Sequence, residues 1–339
     1  MSANENAAAG QPDQPMHAAS RVFVAGHRGL VGSAITRRLA NAGYRHVLTR
    51  SRAELDLRDR EAVRRLFYAE RPEYVILAAA RVGGIHANNA NPADFITENL
   101  LLQTAVIDAC REFAVTRLLF LGSSCIYPRL CPQPIREEYL LSGPLEPTNR
   151  PYAVAKIAGI EQCWANNRQH GTRFVAAMPT NLYGPGDNFD LQNSHVLPAL
   201  LRKALAAKDA GAPQMEVWGT GTPRREFLYV DDLAEACVFL LELPPDRYAI
   251  LLSADEPPLI NIGAGEDLSI CELAELVCRI VGYDGRLTFD ASRPDGTPRK
   301  LLDIGRIRTL GWQPRISLED GIRRTYAAMG DRFAIPGRV

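Results

Sequence analysis

Arg21-Val-Phe-Val-Ala-Gly-His-Arg-Gly-Leu-Val-Gly32 is the stretch that decides how this chain is read. Five residues of strand-forming character run straight into glycines at positions 26, 29 and 32, and an amphipathic helical stretch, Gly32–Ala42, follows. A glycine turn between a first strand and a first helix lets backbone approach a pyrophosphate and offers it the free N–H groups of the helix. The spacing is GxxGxxG rather than GxGxxG, and a plain turn is the alternative. Its position between strand and helix favours nucleotide binding, with Gly26, His27, Arg28, Gly29, Leu30, Val31 and Gly32 as the expected contacts.

The same alternation continues outward. Short apolar runs recur at His46–Thr49, Tyr74–Leu77, Arg117–Leu121 and Arg173–Met178, separated by helical stretches at Asp59–Glu70, Pro92–Phe113 and Pro151–Gln169. Such alternation implies right-handed crossovers and a parallel sheet covered on both faces, which unbroken apolar strands require. Past Pro179, Gly, Pro, Asn and Asp crowd positions 181–193, a loop composition. Helices are expected at His195–Lys208, Leu268–Val281 and Leu318–Met329, and short strands at Glu216–Trp218 and Leu287–Phe289. Phe227–Leu241 and Leu259–Ile262 read as returns to the large sheet.

The expected class is α/β: a Rossmann-type doubly wound parallel sheet with a smaller, discontinuous α/β domain. Residues 21–180 with 226–262 would bind the nucleotide, and 181–225 with 263–332 the substrate. Residues 1–20, rich in Ala, Asn, Gln and Pro, read as a disordered tail without a secretory pattern.

Composition narrows the function. Lys plus Arg and Asp plus Glu each total 39 of 339 residues, a zero balance that argues against nucleic acid or a polybasic membrane contact. With 46% apolar and 23% charged residues, wholesale disorder is excluded. No apolar run has membrane-spanning length. Seven cysteines without a CxxC pair or a zinc-like cluster argue against a disulfide scaffold or structural metal and for a reducing cytoplasm.

Tyr152-Ala-Val-Ala-Lys156 is the strongest local sign of chemistry. At i, i+4 a phenol and an ammonium share one helix face. A neighbouring cation would lower the phenol's pKa from about 10 and make it usable in proton transfer. After the second strand, Arg50 and Arg52, with Arg28, suit a ribose 2′-phosphate, so NADP(H) is favoured over NAD(H), although surface charge is the bland alternative. Asp56 and Leu57 follow where adenine would lie.

With these residues in view, the chain resembles the extended short-chain dehydrogenase/reductase superfamily and, within it, the GDP-L-fucose synthase family. Motifs at 78–85, 123–128, 146–149, 152–159, 179–185, 193–198, 218–227 and 294–300 carry the likeness over about residues 21–330. The resemblance implies NADPH and a GDP-4-keto-6-deoxy sugar, whose C3 and C5 are inverted before hydride reduces C4. Cys125 and His195 match the acid–base pair for inversion. Ser123, Tyr152 and Lys156 match the reductase group. Further cofactor contacts would come from Ala79, Ala80, Leu121, Gly122, Ser123, Ser124, Lys156, Pro179, Thr180, Asn181, Leu182 and His195. Lys203, Trp218, Arg225 and Asp295 would face the nucleotide sugar, and a homodimer would form through Pro92–Phe113 and Pro151–Gln169.

Each assignment has a plainer counterpart. Cys125 could be a small packing residue, His195 a helix-terminal histidine, Lys203 an exposed helix lysine and Trp218 a core residue. His86, near the expected pocket, receives no role, and Cys271 and Cys278 read as packing residues. Other functions compatible with the chain are the same chemistry on a related GDP-keto sugar leading to colitose, a 4-epimerase or dehydratase, and a non-catalytic NADP-binding sensor. A dehydratase would carry Thr and an acidic residue in place of Ser123 and Cys125, and sensors of this fold lose the Tyr/Lys pair.

Overall fold

The computed structural model describes residues 13–190, 194–293 and 295–333. Its first part alternates β1 (Arg21–Ala25), α1 (Leu30–Asn41), β2 (His46–Leu48), α2 (Arg60–Glu70), β3 (Tyr74–Leu77), α3 (Ile85–Ala90), α4 (Pro92–Glu112), β4 (Arg117–Leu121), α5 (Arg150–His170) and β5 (Phe174–Pro179). Next come β6 (Asn181–Tyr183), α6 (Val196–Asp209), β7 (Gln214–Trp218), β8 (Arg224–Arg225), β9 (Phe227–Tyr229), α7 (Val230–Glu242) and α8 (Pro245–Ala249). The chain ends with β10 (Leu259–Ile262), β11 (Leu268–Ser269), α9 (Ile270–Val281), β12 (Arg286–Asp290), β13 (Arg299–Lys300), α10 (Gly305–Thr309) and α11 (Leu318–Phe333).

Six of these strands form one parallel sheet in the order β2-β1-β3-β4-β5-β10. Every side chain of β3, β4, β5 and β10 is buried, as a doubly covered sheet demands. The order reverses between β1 and β3, and crevices for ligands open at the carboxyl side of such a reversal. On one face α4 lies along α5, tied by Gln103 Nε2 donating to the Ala155 carbonyl at 2.6 Å. Gly159 lets α5 lie close on β4, because a Cβ there would stand 2.6 Å from the Phe120 ring.

A second hydrophobic core gathers Leu197, Leu201, Met215, Val217, Leu273, Val277 and Ile322 from α6, β7, α9 and α11. Helix α9 starts on a capping box, Ser269 with Glu272, and ends at Gly282 in the left-handed region.

Three expectations change here. Phe227–Tyr229 does not rejoin the large sheet: β9 pairs with β6. Its rings stack edge-on with Tyr183 in the second core, so only α7 returns, packed against α1. Leu302, Ile304, Ile307, Leu310 and Trp312, read as part of the smaller domain, pack into the large core instead. Finally, residues 13–20 are not a loose tail. Met16 is buried and bonded to the Leu241 carbonyl, Gln14 accepts from the Tyr74 hydroxyl, and Asp13 pairs with the fully buried Arg117 at 2.9 Å. Residues 1–12 lie outside the described residues.

Candidate active site

The glycine loop sits at the carboxyl end of β1, beside the reversal. Gly26 holds a φ of +93°, and a Cβ there would stand 2.7 Å from the Ala79 nitrogen. At Gly32 a Cβ would fall 2.1 Å from the Gly26 carbonyl oxygen. No side chain caps α1 at Gly29, so its first amides face outward for a ligand. This backbone cradle, closed by Ala78 and Ala79 after β3, fits a dinucleotide pyrophosphate.

At the expected 2′-phosphate end, the arginines already have carboxylate neighbours. Arg50 pairs with Glu70 at 2.7 Å and Arg52 with Glu98 at 3.6 Å. Hydrogen bonds from Ser51 and then the charges of Arg50 and Arg28 hold the Glu54 carboxyl below its usual range. Asp56 is engaged by Arg58, whose guanidinium pulls it down to about 2. Arg28, Arg50 and Arg52 therefore border one mixed-charge region rather than one bare cationic pocket. Arg58 belongs to it too, and local spacing offered no sign of that.

The reductase group lies at the ends of β4 and α5. Ser123 stands between Tyr152 and Cys125, its hydroxyl in hydrogen-bond contact with the phenol and accepting the Cys125 backbone N–H at 3.3 Å. Buried Lys156 donates to the Leu121 carbonyl at 2.8 Å, and burial pushes its ammonium down to about 7. Burial first, then the charge of Cys125, raises the Tyr152 phenol above its ordinary value. The expectation that Lys156 lowers that pKa is thus corrected: its Nζ stands 6.0 Å from the Tyr152 ring centroid and bonds elsewhere.

Cys125 is the thiol that its surroundings make more acidic. Burial works against its thiolate, but the Lys300 ammonium at 3.4 Å from Sγ, the Ser123 hydroxyl and Arg225 outweigh it and hold the thiol below its ordinary value. His195 precedes α6, its side chain capping no amide, and keeps solvent access. The surrounding walls first, and Lys300 second, favour its neutral imidazole. The structure therefore brings Ser123, Cys125 and Tyr152 together, with Lys156 on the same helix as Tyr152, and adds Lys300, which no local pattern singled out and whose charge also reaches His195. After β5, Thr180 Oγ1 and Asn181 Nδ2 both donate to the Glu226 carbonyl, linking expected cofactor contacts to the strand that carries Arg225.

At the end of β7, Trp218 is 47% exposed. Lys203 and Arg293 lie over its ring at 4.5 and 5.0 Å, so it is not a core residue. Lys203 donates to the Glu216 carbonyl, Arg225 to the Arg224 carbonyl, and both Asp295 oxygens accept from Thr220. Asp295 here shapes the turn after Trp218. Cys278 packs in the second core, whereas Cys271 turns toward Glu275. The side chain of His86 and residue Asn193 lie outside the described residues.

A glycine cradle at a sheet reversal, with a Tyr/Lys pair and a cysteine beside it, defines a nicotinamide-dependent oxidoreductase with an additional acid–base centre. The chain belongs to the NAD dependent epimerase/dehydratase family, whose model matches residues 22–250, and within it to the GDP-L-fucose synthase family. It is 56% identical to GDP-L-fucose synthase 1 of Arabidopsis thaliana, over 91% of this chain and 92% of that one. To the GDP-L-fucose synthase of Escherichia coli K12 it is 54% identical, over 90% and 95%. The solved GDP-L-fucose synthetase of Naegleria fowleri bound to NADP is similar with a TM-score of 0.84 and 28% identity, covering 95% and 96%.

Proposed function

We propose that this enzyme converts GDP-4-keto-6-deoxy-D-mannose to GDP-L-fucose, inverting C3 and C5 and then reducing C4. The observation that carries the reading is Cys125 in contact with both Ser123 and Lys300, one hydroxyl away from Tyr152. One ketone serves both stages. It acidifies the neighbouring C–H bonds, and later it accepts hydride.

Cys125, as thiolate, removes the proton at each centre, and His195 delivers one to the opposite face of the enolate. Ser123 donates a hydrogen bond to the C4 oxygen, where negative charge collects in both stages. The glycine loop from Gly26 to Gly32 would hold NADPH, which would supply the hydride for C4. Tyr152, kept neutral by burial and by the charge on Cys125, gives its proton to the resulting oxyanion. Lys156 holds the nicotinamide ribose. Lys203, Trp218 and Arg225 receive the GDP portion, cations against phosphates and an indole face against base or sugar.

The working form is a homodimer through α4 and α5, whose Leu101 and Val154 remain 50% and 38% exposed although the helices pack on each other. A reducing, cytoplasmic setting suits seven free cysteines, one of them poised as a base. No helix among the described residues is long and apolar enough to cross a membrane.

Incubation with GDP-4-keto-6-deoxymannose, NADPH and deuterated water tests the reading. One NADPH should be consumed per GDP-L-fucose, with deuterium at C3 and C5 by NMR. Binding without turnover would make the chain a sensor, and a C4-reduced product without deuterium would remove the epimerase half. Preference for a 3,6-dideoxy ketose would assign it to colitose chemistry.

A further inference from the structure

Lys300 lies 175 positions from Cys125 in sequence, yet its Nζ donates to Sγ at 3.4 Å. Its backbone leaves it little freedom. Strand β13 pairs with β8, placing Lys300 beside Arg225, and the Lys300 carbonyl accepts the Glu226 N–H. The next residue, Leu301, donates to Gln133 Oε1 at 2.8 Å, and its carbonyl accepts from Ile135 at 2.7 Å. Leu302 donates to the buried Glu226 carboxylate at 3.0 Å. Such a pinned strand aims an ammonium where a mobile lysine would drift.

Among the described residues Lys300 makes no ion pair with a carboxylate, so its charge is not spent elsewhere. Its charge also reaches Cys131 and His195. The groups facing Cys125 are the Ser123 hydroxyl, the Lys300 ammonium, the more distant Arg225 guanidinium and the Tyr152 phenol. Lys300 alone is a full charge in contact with sulfur.

Double inversion makes a particular demand on a single thiol. Having taken a proton from the first carbon, Cys125 must lose it again before it can take one from the second. A fixed cation in contact with the sulfur favours the thiolate and so favours that reset.

We infer that Lys300 is the positioning residue that holds Cys125 as a thiolate between the two deprotonations. The inference rests on the reading of Cys125 as the base, but its central observable does not need substrate. The alkylation of Cys125 by iodoacetamide, followed by peptide mass spectrometry across pH 5.5–9.5 on the full chain, reports the thiolate fraction directly. Wild-type Cys125 should reach half its maximal rate well below pH 9. Lys300→Met should move that midpoint up by a pH unit or more and slow alkylation at pH 7 about tenfold, while Lys300→Arg restores most of the wild-type profile. Arg225 remains in both variants and limits the size of the shift. A Lys300→Met midpoint equal to wild type, in protein with unchanged circular dichroism, overturns the inference. If Lys300→Met does not fold, a Lys300→Arg midpoint raised as far as expected for Met overturns it too, whereas retention supports it.

Solvent-deuterium exchange then separates the two claims. Exchange in Lys300→Met that is lost at pH 7 and regained toward pH 9 supports the positioning role in turnover. An alkylation shift with no exchange in any form of the protein leaves Lys300 as the group that holds the Cys125 thiolate, but defeats the proposed epimerase function and with it the role between deprotonations.

Discussion

Tyr152 shows how a residue pair legible in sequence behaves once it is buried. Spacing placed phenol and ammonium on one helix face, and the expected result was an acidified tyrosine. Burial instead raises the phenol and lowers the ammonium, because each charged form loses water and neither gains the other as a close partner. A neutral phenol is the state a terminal proton donor needs. Tyr152→Phe should therefore abolish C4 reduction by at least a hundredfold while deuterium still enters the sugar; loss of both in a folded variant would move Tyr152 into the epimerisation step. Lys156 gives a pH signature. With its folded value near 7 and its ordinary value 10.5, the unfolded chain holds a proton in that window that the native chain has released. Stability from this group thus rises with pH from about 7 toward 10.5, and below 7, where both states hold the proton, it stays level at its lowest. In urea unfolding between pH 7.5 and 8.5, wild type should gain up to about 1.4 kcal/mol relative to Lys156→Met, and parallel curves would contradict the assignment.

At the level of elements, the glycine turn was readable because its demand is local: no side chain fits where one backbone segment crosses another. Gly32→Ala sets a Cβ against the Gly26 carbonyl oxygen at 2.1 Å, so NADPH affinity should drop by more than tenfold with the second core intact. Fluorescence titration of NADPH checks this, and wild-type affinity would mean that the loop relaxes freely. Phe227–Tyr229 was harder. Three buried apolar residues suit any parallel pairing, and nothing in their pattern distinguishes β6 as partner from the large sheet. His195 was found in a motif, but its place ahead of α6, open to solvent, follows from how the second core seats that helix.

Across the whole molecule, segments far apart in the chain close the structure. Asp13 reaches Arg117, whose guanidinium also donates to the Leu241 and Leu243 carbonyls and lies 4.0 Å over the Tyr248 ring. Stripped of its carboxylate, this fully buried cation would be left without a counter-charge. Asp13→Ala should cost about 3 kcal/mol, seen as a lower urea midpoint with unchanged slope, and an unaltered midpoint would show that residues 13–20 lie on the fold without supporting it. Composition did mark this stretch as poor in apolar surface. It could not show that one carboxylate and one methionine, Met16, had waiting partners.

Strand–helix alternation, the glycine turn and the Tyr152/Lys156 spacing are short-range features, written within one or two turns of chain, so the doubly wound class and the nicotinamide cofactor were legible without coordinates. Charge pairing is not short-range. That Arg50 is taken by Glu70, that Asp295 serves Thr220, and above all that Lys300 meets Cys125, depend on strands and helices brought together from distant parts of the chain. Electrostatic strength depends on separation in space and on exclusion of water, and both come into being only when the two cores pack.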